Sequence, residues 1–359
     1  MNVYEKALNA ANFLDSDRVP VVFSMTGLMY SRLAGVSDDR YYSDPEKMLK
    51  TQLWFHEQMP DVYTFPGMWP DFGAMAELGG MGANITFSKD EPPYLQGPIL
   101  HDVNDIVRFN PQDQDPRKAE FTAMNLSFLQ YFYDNVSDKY KRNDGFIEGH
   151  LFCGGPGEIA ALTIGYDRFF YAVYDYPKLV HELLRKVTDF IKEYLKAQME
   201  IVGPAKRIYL WDHLPGMLSR EIYAEFIHPY LYEVFDFVND AEIKLYHNEN
   251  NYPHLIDLVA KLPCNVCHVG PKHDLVETKN ALNKCVMGNL HPIADMLETS
   301  DQELRKKSRQ LIETAGQGGG LWLSTAGGMA PQTTMHTLKL LTDVAQETPI
   351  ISNNTSDSF

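Results

Sequence analysis

The segment Glu242-Ile-Lys-Leu-Tyr246, followed by His247-Asn248-Glu249, has the pattern of a buried strand that ends in polar residues. Residues two apart on a strand share a face, so His247 and Glu249 can point into the same space. Together they could offer one imidazole nitrogen and one carboxylate to a metal ion or to a substrate. The segment therefore predicts a strand with a candidate site at its carboxyl end.

From about residue 145 onward, similar apolar runs alternate with amphipathic helical stretches, which is typical of parallel βα units. Helices are predicted over 176–202, after a Ser219 cap over 220–239, and after a Ser300 cap that has Glu303 three residues later. The alternation predicts an α/β fold, a TIM-type (β/α)8 barrel with an N-terminal elaboration. The predicted strands are 145–148, 207–211, 243–247, 265–269, 284–288 and 320–324.

The first 140 residues are less regular. Helices are predicted over 44–58, after a Ser43 cap, and over 121–136, whereas 66–100 is rich in Gly, Pro and Met. Long apolar and aromatic side chains in this part could line a pocket for an aromatic or methylated substrate, although ordinary core packing is the alternative. The predicted substrate-binding residues here are Met25, Met29, Tyr30, Met68 and Trp69.

The composition excludes several classes of protein. The chain has 359 residues, a formal charge of −16 and a pI of about 5.1, so most of its surface would repel a nucleic acid. Apolar runs of membrane-spanning length and a secretion signal are both absent from the sequence, which predicts a cytoplasmic protein. We expect one domain over residues 1–345 and a tail over 346–359 whose end is disordered.

The four cysteines are Cys153, Cys264, Cys267 and Cys285, and so few in a chain of this length predict reduced thiols. Cys264-Asn-Val-Cys267-His268 matches the attachment pattern of c-type haem, but that chemistry belongs to exported proteins. We interpret these cysteines as small apolar residues of a buried strand, and a thiolate site between Cys267 and Cys285 stays open as an alternative.

Polar residues follow several predicted strands: Trp211-Asp212-His213, His247-Asn248-Glu249, His268 and Gly288-Asn289. In a parallel barrel these strand ends meet at one mouth, which makes Asp212, His247, Glu249 and His268 candidate ligands of one metal ion. Imidazole and carboxylate ligands suit zinc, with a fourth position open to substrate. The alternative is that Asp212 caps a loop and His268 bonds to a backbone carbonyl.

Residues 153–340 resemble the uroporphyrinogen decarboxylase superfamily, in particular its corrinoid-linked methyltransferase branch. The N-terminal Asp17-Arg18-Val19-Pro20 and Ala76-Glu77 are also similar to that family, so the resemblance covers nearly the whole chain. The remaining matching elements are Gly155-Pro156 with Ala160, Gly165-Tyr-Asp-Arg-Phe169, Asp175-Tyr-Pro-Lys-Leu-Val-His-Glu-Leu-Leu184, Lys196-Ala-Gln198, Tyr223-Ala-Glu-Phe226, Pro229-Tyr230, Gly288-Asn-Leu-His-Pro292 and residues 324–334 with Pro331.

The resemblance implies a TIM-type barrel with its site at the carboxyl ends of the strands. The decarboxylase proper has an arginine-rich segment near its N-terminus that holds the substrate carboxylates, but here Phe23-Ser-Met-Thr-Gly-Leu-Met-Tyr30 contains no arginine. In thiol-methylating members, a His-x-Cys pair and a later Cys bind zinc. In this chain the pair corresponds to His247 and Glu249 and the later Cys falls at about Gly327, so a thiol acceptor is not expected.

The leading hypothesis is a zinc-dependent methyltransferase that demethylates a methyl ether, for which a methoxylated aromatic is the expected substrate. The methyl group would pass to the Co(I) corrinoid of a partner protein, so the expected cofactors are zinc and a corrinoid. His247, Glu249 and Asp212 are the predicted catalytic residues, His268 completes the predicted metal ligands, and Asn289 joins the predicted substrate-binding residues. The alternatives are a decarboxylase or other metal-free lyase, in which His247 and Asp212 act as acid and base, and a non-catalytic binding protein.

Overall fold

The computed structural model describes residues 1–14, 16–73 and 75–350. Eight parallel strands form one curled sheet, and helices cover its outer face. The strands are β1 (Val21–Phe23), β2 (Val62–Thr64), β3 (His150–Gly154), β4 (Arg207–Trp211), β5 (Ile243–Asn248), β6 (Val266–Val269), β7 (Cys285–Leu290) and β8 (Leu321–Thr325). A two-stranded hairpin pairs Ile85–Thr86 with Tyr94–Leu95 in the N-terminal part.

The helices follow the strands in the order that a (β/α) unit requires. They are α1 (Val3–Ala11), α2 (Gly27–Ala34), α3 (Asp38–Ser43), α4 (Pro45–Gln58), α5 (Ala76–Gly80), α6 (Glu120–Asn135), α7 (Pro156–Ile164), α8 (Tyr166–Asp175), α9 (Pro177–Val202), α10 (Arg220–Ile222), α11 (His228–Phe237), α12 (Ile256–Val259), α13 (Leu275–Leu282), α14 (Asp301–Ala315) and α15 (Met335–Glu347). None of the helices in the described ranges combines the length and the apolar character of a membrane span.

The strand order is β2-β1-β8-β7-β6-β5-β4-β3, so the first and last parts of the chain meet where β1 pairs with β8. At the two ends of the sheet, the Phe65 ring lies 4.7 Å from the His150 ring. At the amino end of the strands, the indole nitrogen of Trp322 donates to the carbonyl of Ala7 in α1 at 2.9 Å. The predicted (β/α)8 fold with an N-terminal elaboration is confirmed, and its open mouth lies at the carboxyl ends of the strands.

Five of the six predicted strands are confirmed to within two residues, but the strand predicted over 145–148 is wrong. Gly145 and Gly149 both have left-handed backbone angles, φ +65° and +66°, which an extended strand does not contain. The strand begins after them, at His150. Strands β1 and β2 were not predicted, because runs of three residues are too short to show a period.

The predicted helices also need two corrections. The cap of α4 is Asp44 rather than Ser43, since the Asp44 carboxylate accepts from the amide of Glu46 at 2.9 Å. The helix predicted over 220–239 is divided by a π-helical turn at Tyr223–Ile227. Pro229 follows that turn and has no amide hydrogen to donate to the preceding turn, which accounts for the irregularity. The Ser300 cap is confirmed, and its hydroxyl accepts from the Glu303 amide.

Candidate active site

A cavity of about 430 Å³ opens at the carboxyl ends of the strands. One side carries acidic and imidazole groups, and the remaining walls are mainly apolar and aromatic. The lining residues are Ser24, Met25, Thr26, Pro66, Asp71, Gly73, Met75, Phe152, Glu158, Leu162, Tyr209, Trp211, His213, His247, Glu249 and Gly328. The volume is that of a small-molecule pocket and is more than a single aromatic ring needs.

Alternation along the strands decides which residues reach this cavity. Tyr209, Trp211 and His213 all line it, as do His247 and Glu249 on the neighbouring strand. Trp211 is paired in register with His247, so the two alternating sets face the same side. The His213 ring lies 5.0 Å from the His247 ring in an edge-to-face arrangement. The prediction that His247 and Glu249 share one space is consistent with this placement.

His247 is held from behind by His268. The two Nδ1 atoms are 2.7 Å apart, and both side chains are buried. Burial lowers the pKa of His247 well below its ordinary value, and the neighbouring His268 and His213 lower it further. Burial also lowers the pKa of His268 to about 4, against the opposing effect of the Thr325 carbonyl. Both imidazoles are therefore neutral near pH 7.

The position of the protons in this pair follows from the backbone around His268. Its Nε2 lies 2.9 Å from the amide nitrogen of Gly327 and 2.9 Å from the carbonyl oxygen of Thr325. The amide can only donate and the carbonyl can only accept, so the two contacts ask opposite roles of Nε2. We take the Gly327 hydrogen bond as the one that forms, which makes Nε2 of His268 the acceptor and puts its proton on Nδ1. That proton then points to Nδ1 of His247. In this arrangement His247 carries its own proton on Nε2. A metal ion at Nε2 would require the opposite arrangement, in which His268 donates to the Thr325 carbonyl and His247 donates from Nδ1 to His268.

Asp212 lies outside the cavity, because the alternation that brings Trp211 and His213 inward turns Asp212 towards the start of α7. Its carboxylate is fully buried and lies directly against Gly155, where a side chain would collide with it. Burial raises the pKa of Asp212 well above its ordinary value, and the charge of Glu158 raises it further. Nearby backbone amides oppose this rise without meeting hydrogen-bond geometry. Burial and the charge of Glu158 therefore favour the protonated form of Asp212.

Glu158, in the first turn of α7, is the carboxylate that reaches the cavity in this region. It is 5% exposed and accepts from the amides of His213 at 3.0 Å and Leu214 at 2.8 Å. The hydroxyl of Tyr166 donates to its other oxygen. These three neutral donors fix the carboxylate and tie the loop after β4 to α7. Sequence reasoning missed Glu158, because a residue inside a helix turn carries no strand-end signal.

Asp71 was also missed, although it stands in the Met- and Gly-rich segment that the sequence singled out. It lines the cavity, is 8% exposed and accepts from the amide of Gly73 at 2.8 Å. The amide of Gly27, the first residue of α2, donates to its second oxygen. Burial raises the pKa of Asp71, and the two amides oppose that rise. No sequence period could indicate this residue, since it lies in an irregular loop.

Glu249 is exposed at the cavity mouth, and its carboxylate accepts from the amide of Gly328 at 3.0 Å. Gly327 has φ +95°, and a side chain at that position would run into the same carboxylate. The turn after β8 thus lies against both Glu249 and His268. The resemblance had placed a missing ligand at about Gly327, and this residue does lie beside the two candidate ligands.

The predicted zinc ligands do not come together as one set. Within the described ranges, no group of three or more His, Cys, Asp or Glu side chains is arranged to hold a metal ion. Asp212 is turned to α7, and both ring nitrogens of His268 are engaged by His247 and the backbone. A catalytic zinc usually has three protein ligands, so Asp212 and His268 do not fit the role. Zinc stays a prediction, with His247 and Glu249 as the predicted ligands that line the cavity.

The predicted substrate-binding residues are divided between the cavity and the core. Met25 lines the cavity. Asn289 lies at another depression, and its amide group donates to the carbonyls of Gly270 and His273 at 3.2 and 2.7 Å. The others pack in the hydrophobic core, at most 3% exposed: Met29, Tyr30, Met68 and Trp69. These four residues therefore follow the alternative prediction, which is ordinary core packing.

The four cysteines are buried free thiols, which agrees with the interpretation that they are small residues of the core. The Sγ atoms of Cys264 and Cys267 lie 3.9 Å apart. Burial raises the pKa of the Cys285 thiol, so a reactive thiolate is not favoured there.

Comparison with known proteins gives one consistent result. The family model described as uroporphyrinogen decarboxylase (URO-D) matches residues 4–348. Similar curated proteins include the uroporphyrinogen decarboxylase of Carboxydothermus hydrogenoformans, 25% identical over 285 residues, which are 77% of this chain and 76% of that protein. That of Oceanobacillus iheyensis is 27% identical over 273 residues, 75% of each chain.

Among solved structures, a methyltransferase from Methanosarcina mazei superposes with a TM-score of 0.80 at 18% identity, covering 97% of this chain and 99% of that one. At this identity the superposition concerns the fold, and it agrees with the barrel described above.

Proposed function

The chain belongs to the uroporphyrinogen decarboxylase family, and we propose that it is a methyltransferase that demethylates a methoxylated aromatic. In this proposal the methyl group of the ether passes to the Co(I) corrinoid of a partner protein. The observation that carries the proposal is the cavity. Its apolar and aromatic walls leave ample room for a substituted aromatic ring, and one side presents the Nε2 of His247.

The chemistry asks the protein to hold the ether and to stabilise a poor leaving group. The bond from the methyl carbon to oxygen breaks while the bond to cobalt forms, and the electron pair stays on the oxygen, which later takes a proton from water. His247 would donate a hydrogen bond from Nε2 to that oxygen as its charge develops. A neutral imidazole in this electrophilic role has a precedent in the handling of a substrate carbonyl by triosephosphate isomerase. His268 would keep the tautomer that this step needs.

The aromatic and methionine side chains of the cavity could contact the aromatic ring of such a substrate. Phe152 and Tyr209 stack with their ring centres 5.3 Å apart, and the Tyr209 ring lies 5.3 Å from the His247 ring. A planar ring could pack on this aromatic wall with its ether oxygen directed to His247. Met25 and Met75 line the cavity as well and offer adaptable apolar surface.

Decarboxylation is the second candidate, because the curated relatives are named uroporphyrinogen decarboxylases. The acid and base predicted for it are His247 and Asp212, and Asp212 lies behind the cavity wall. A substrate with many carboxylates would also need cationic partners, and none of the described residues that line the cavity is a lysine or an arginine. The cavity thus favours methyl transfer over this alternative.

The decisive experiment mixes the purified protein with 4-methoxybenzyl alcohol and cob(I)alamin, and follows the absorbance change of methylcobalamin formation together with release of the phenol. We expect both products in equal amounts. A parallel incubation with uroporphyrinogen measures release of carbon dioxide. Carbon dioxide without methylcobalamin would overturn the methyltransferase proposal and support the decarboxylase.

Zinc is tested apart from activity. Metal analysis of the wild type and of His247→Ala, both supplied with zinc, should find about one zinc per chain in the wild type and less in the variant if His247 is a ligand. Equal metal content in the two proteins would argue against a zinc site at His247.

A further inference from the structure

The cavity concentrates negative charge without a cation to balance it. Asp71, Glu158 and Glu249 line it, whereas the lining residues that the structure describes include no lysine or arginine. Each carboxylate accepts hydrogen bonds from amides or a hydroxyl. Such neutral donors stabilise a carboxylate but leave its formal charge in place. The two imidazoles of the wall are His213 and His247, and the buried ring of His247 stays neutral.

The same cavity has the surface that an organic cation prefers. Phe152, Tyr209 and Trp211 form an aromatic wall, and the face of an aromatic ring attracts an ammonium group. The indole N–H of Trp211 is buried and has no hydrogen-bond partner among the described residues, although buried indoles usually have one. That N–H is closed off from the cavity, so the Trp211 ring offers the cavity its apolar carbon surface. Aromatic faces and unbalanced carboxylates together select against an anion and for a cation.

We propose that the methyl donor is cationic: a methoxylated aromatic that carries a protonated amine, held through Asp71 and the aromatic wall. This inference rests on the proposed function, because it names the class of its substrate. Asp71 is the carboxylate assigned to the ammonium, since Glu158 is enclosed by three donors and Glu249 lies at the open mouth. Methoxybenzoates, which carry the opposite charge, should be excluded.

The burial of Asp71 supports this assignment. Removing a carboxylate from water raises its pKa, as is found for Asp71, and a cation placed beside it would reverse that rise. The hydrogen-bond donors to Asp71 are the amides of Gly27 and Gly73. The titratable groups that interact with it are four phenols whose pKa burial raises, so they carry no charge near pH 7: Tyr30, Tyr41, Tyr42 and Tyr209. An ammonium would therefore gain a full charge pair in a site that excludes most water.

The test uses three probes with the same ring and methoxy group: 4-methoxybenzylamine, 4-methoxybenzyl alcohol and 4-methoxybenzoate. Calorimetry at pH 7.5 without cobalamin should show the amine binding at least about tenfold tighter than the alcohol, and the benzoate at least about tenfold weaker than the alcohol. Asp71→Asn should remove the advantage of the amine over the alcohol, so that the two bind with affinities within about threefold of each other. Asp240→Asn, an exposed carboxylate before β5, is the matched control and should change none of the affinities.

The wild-type series decides the inference even if Asp71→Asn does not fold. Binding of the benzoate as tightly as the amine, or failure of all three probes to bind, would overturn it. Methyl transfer from the benzoate at a rate equal to that from the amine would overturn the charge preference and leave the proposed function intact. Tight binding of the amine with no methyl transfer from any probe would support the charge preference and overturn the proposed function.

Discussion

Two pairs of buried ionisable residues flank the cavity. One pair is joined by a hydrogen bond and the other is not. On one side His247 faces the cavity and His268 lies behind it, joined by a hydrogen bond of 2.7 Å. On the other side Glu158 faces the cavity and Asp212 lies behind it, with no hydrogen bond between the two carboxylates. The imidazoles are joined by one hydrogen bond, whereas the charge of Glu158 raises the pKa of Asp212.

The difference shows how a second buried residue can act on the first. His268 fixes the tautomer of His247, so its contribution is directional and should appear in the chemistry. The charge of Glu158 favours the protonated form of Asp212, and a protonated Asp212 would avoid a second buried charge. Substituting either residue that faces the cavity, His247 or Glu158, should therefore have a large effect on activity or stability. Substituting the rear residues should have unequal effects, larger for His268 than for Asp212.

The largest effect is expected for His247→Ala, which removes the proposed hydrogen-bond donor to the leaving oxygen. We expect kcat for methyl transfer to fall about 1,000-fold, within the range seen when a positioned acid or oxyanion donor is lost. The measurement is the rate of methylcobalamin formation at saturating substrate. His101→Ala, at an exposed position in a loop, is the control and should retain the wild-type rate. An unchanged rate in His247→Ala would remove the imidazole pair from the chemistry.

The carboxylate facing the cavity should matter for stability. Glu158→Ala leaves two amides and the Tyr166 hydroxyl without their acceptor, which should cost about 4 kcal/mol of unfolding free energy at 1 to 3 kcal/mol for each buried group. Glu158→Gln keeps an oxygen for the amides of His213 and Leu214, so we expect it to recover at least half of that loss. Urea unfolding measures both, with the exposed Glu298→Ala as control. Equal losses in the Ala and Gln variants would contradict the role assigned to these bonds.

His268, the imidazole behind His247, should make the folding stability depend on pH. Because burial lowers the pKa of His268 to about 4 from an ordinary 6.5, the folded state binds fewer protons than the unfolded state between these values. His268 therefore favours folding above pH 6.5, and that stability is lost as the pH falls through 4, by at most about 3 kcal/mol. The stability difference between the wild type and His268→Asn should shrink by this amount between pH 7 and pH 4. A difference that does not change with pH would mean that the imidazole is not held neutral.

Buried acids change the stability with pH in the opposite direction to His268. The measurement therefore compares the wild type with His268→Asn. Burial raises the pKa of Glu77 to about 7 from 4.5, so this group destabilises the fold as the pH rises through that window. Asp212 has a raised pKa as well. The wild-type curve alone would mix these contributions with that of His268, whereas the difference between wild type and variant removes the acids and leaves the contribution of the imidazole pair.

How much of this site could be predicted depends on whether a residue ends a regular strand. The run 207–211 was predicted with its observed bounds, and the strand before His247 to within one residue, because apolar runs bounded by polar residues are a strong signal. The strand before His150 was misplaced because its start is set by two glycines in left-handed conformations. Local patterns thus determined the barrel and its mouth.

The choice of residues at the mouth was harder, because both faces of a parallel barrel strand are buried and carry apolar residues. The rule of alternation that paired His247 with Glu249 would also have paired Trp211 with His213, and it would have turned Asp212 away. Glu158 and Asp71 could not be found in this way. Their positions depend on how α7 and the loop after β2 pack on the sheet, which is long-range information.

The smallest effect is expected for Asp212→Asn, and it separates the two pairs most directly. If Asp212 stays protonated behind the wall, a neutral amide of the same shape should change the unfolding free energy by about 1 kcal/mol or less and methyl transfer by less than about threefold. Glu158→Gln, measured beside it, shows the effect of neutralising the carboxylate that faces the cavity.

A loss of activity beyond about 100-fold in a folded Asp212→Asn protein would place this carboxylate in the chemistry or at a metal, as the strand-end pattern alone suggests. A loss of several kcal/mol with normal activity would instead mean that the carboxylate is ionised and bound by the amides of α7, because an asparagine oxygen accepts from amides more weakly than a charged carboxylate.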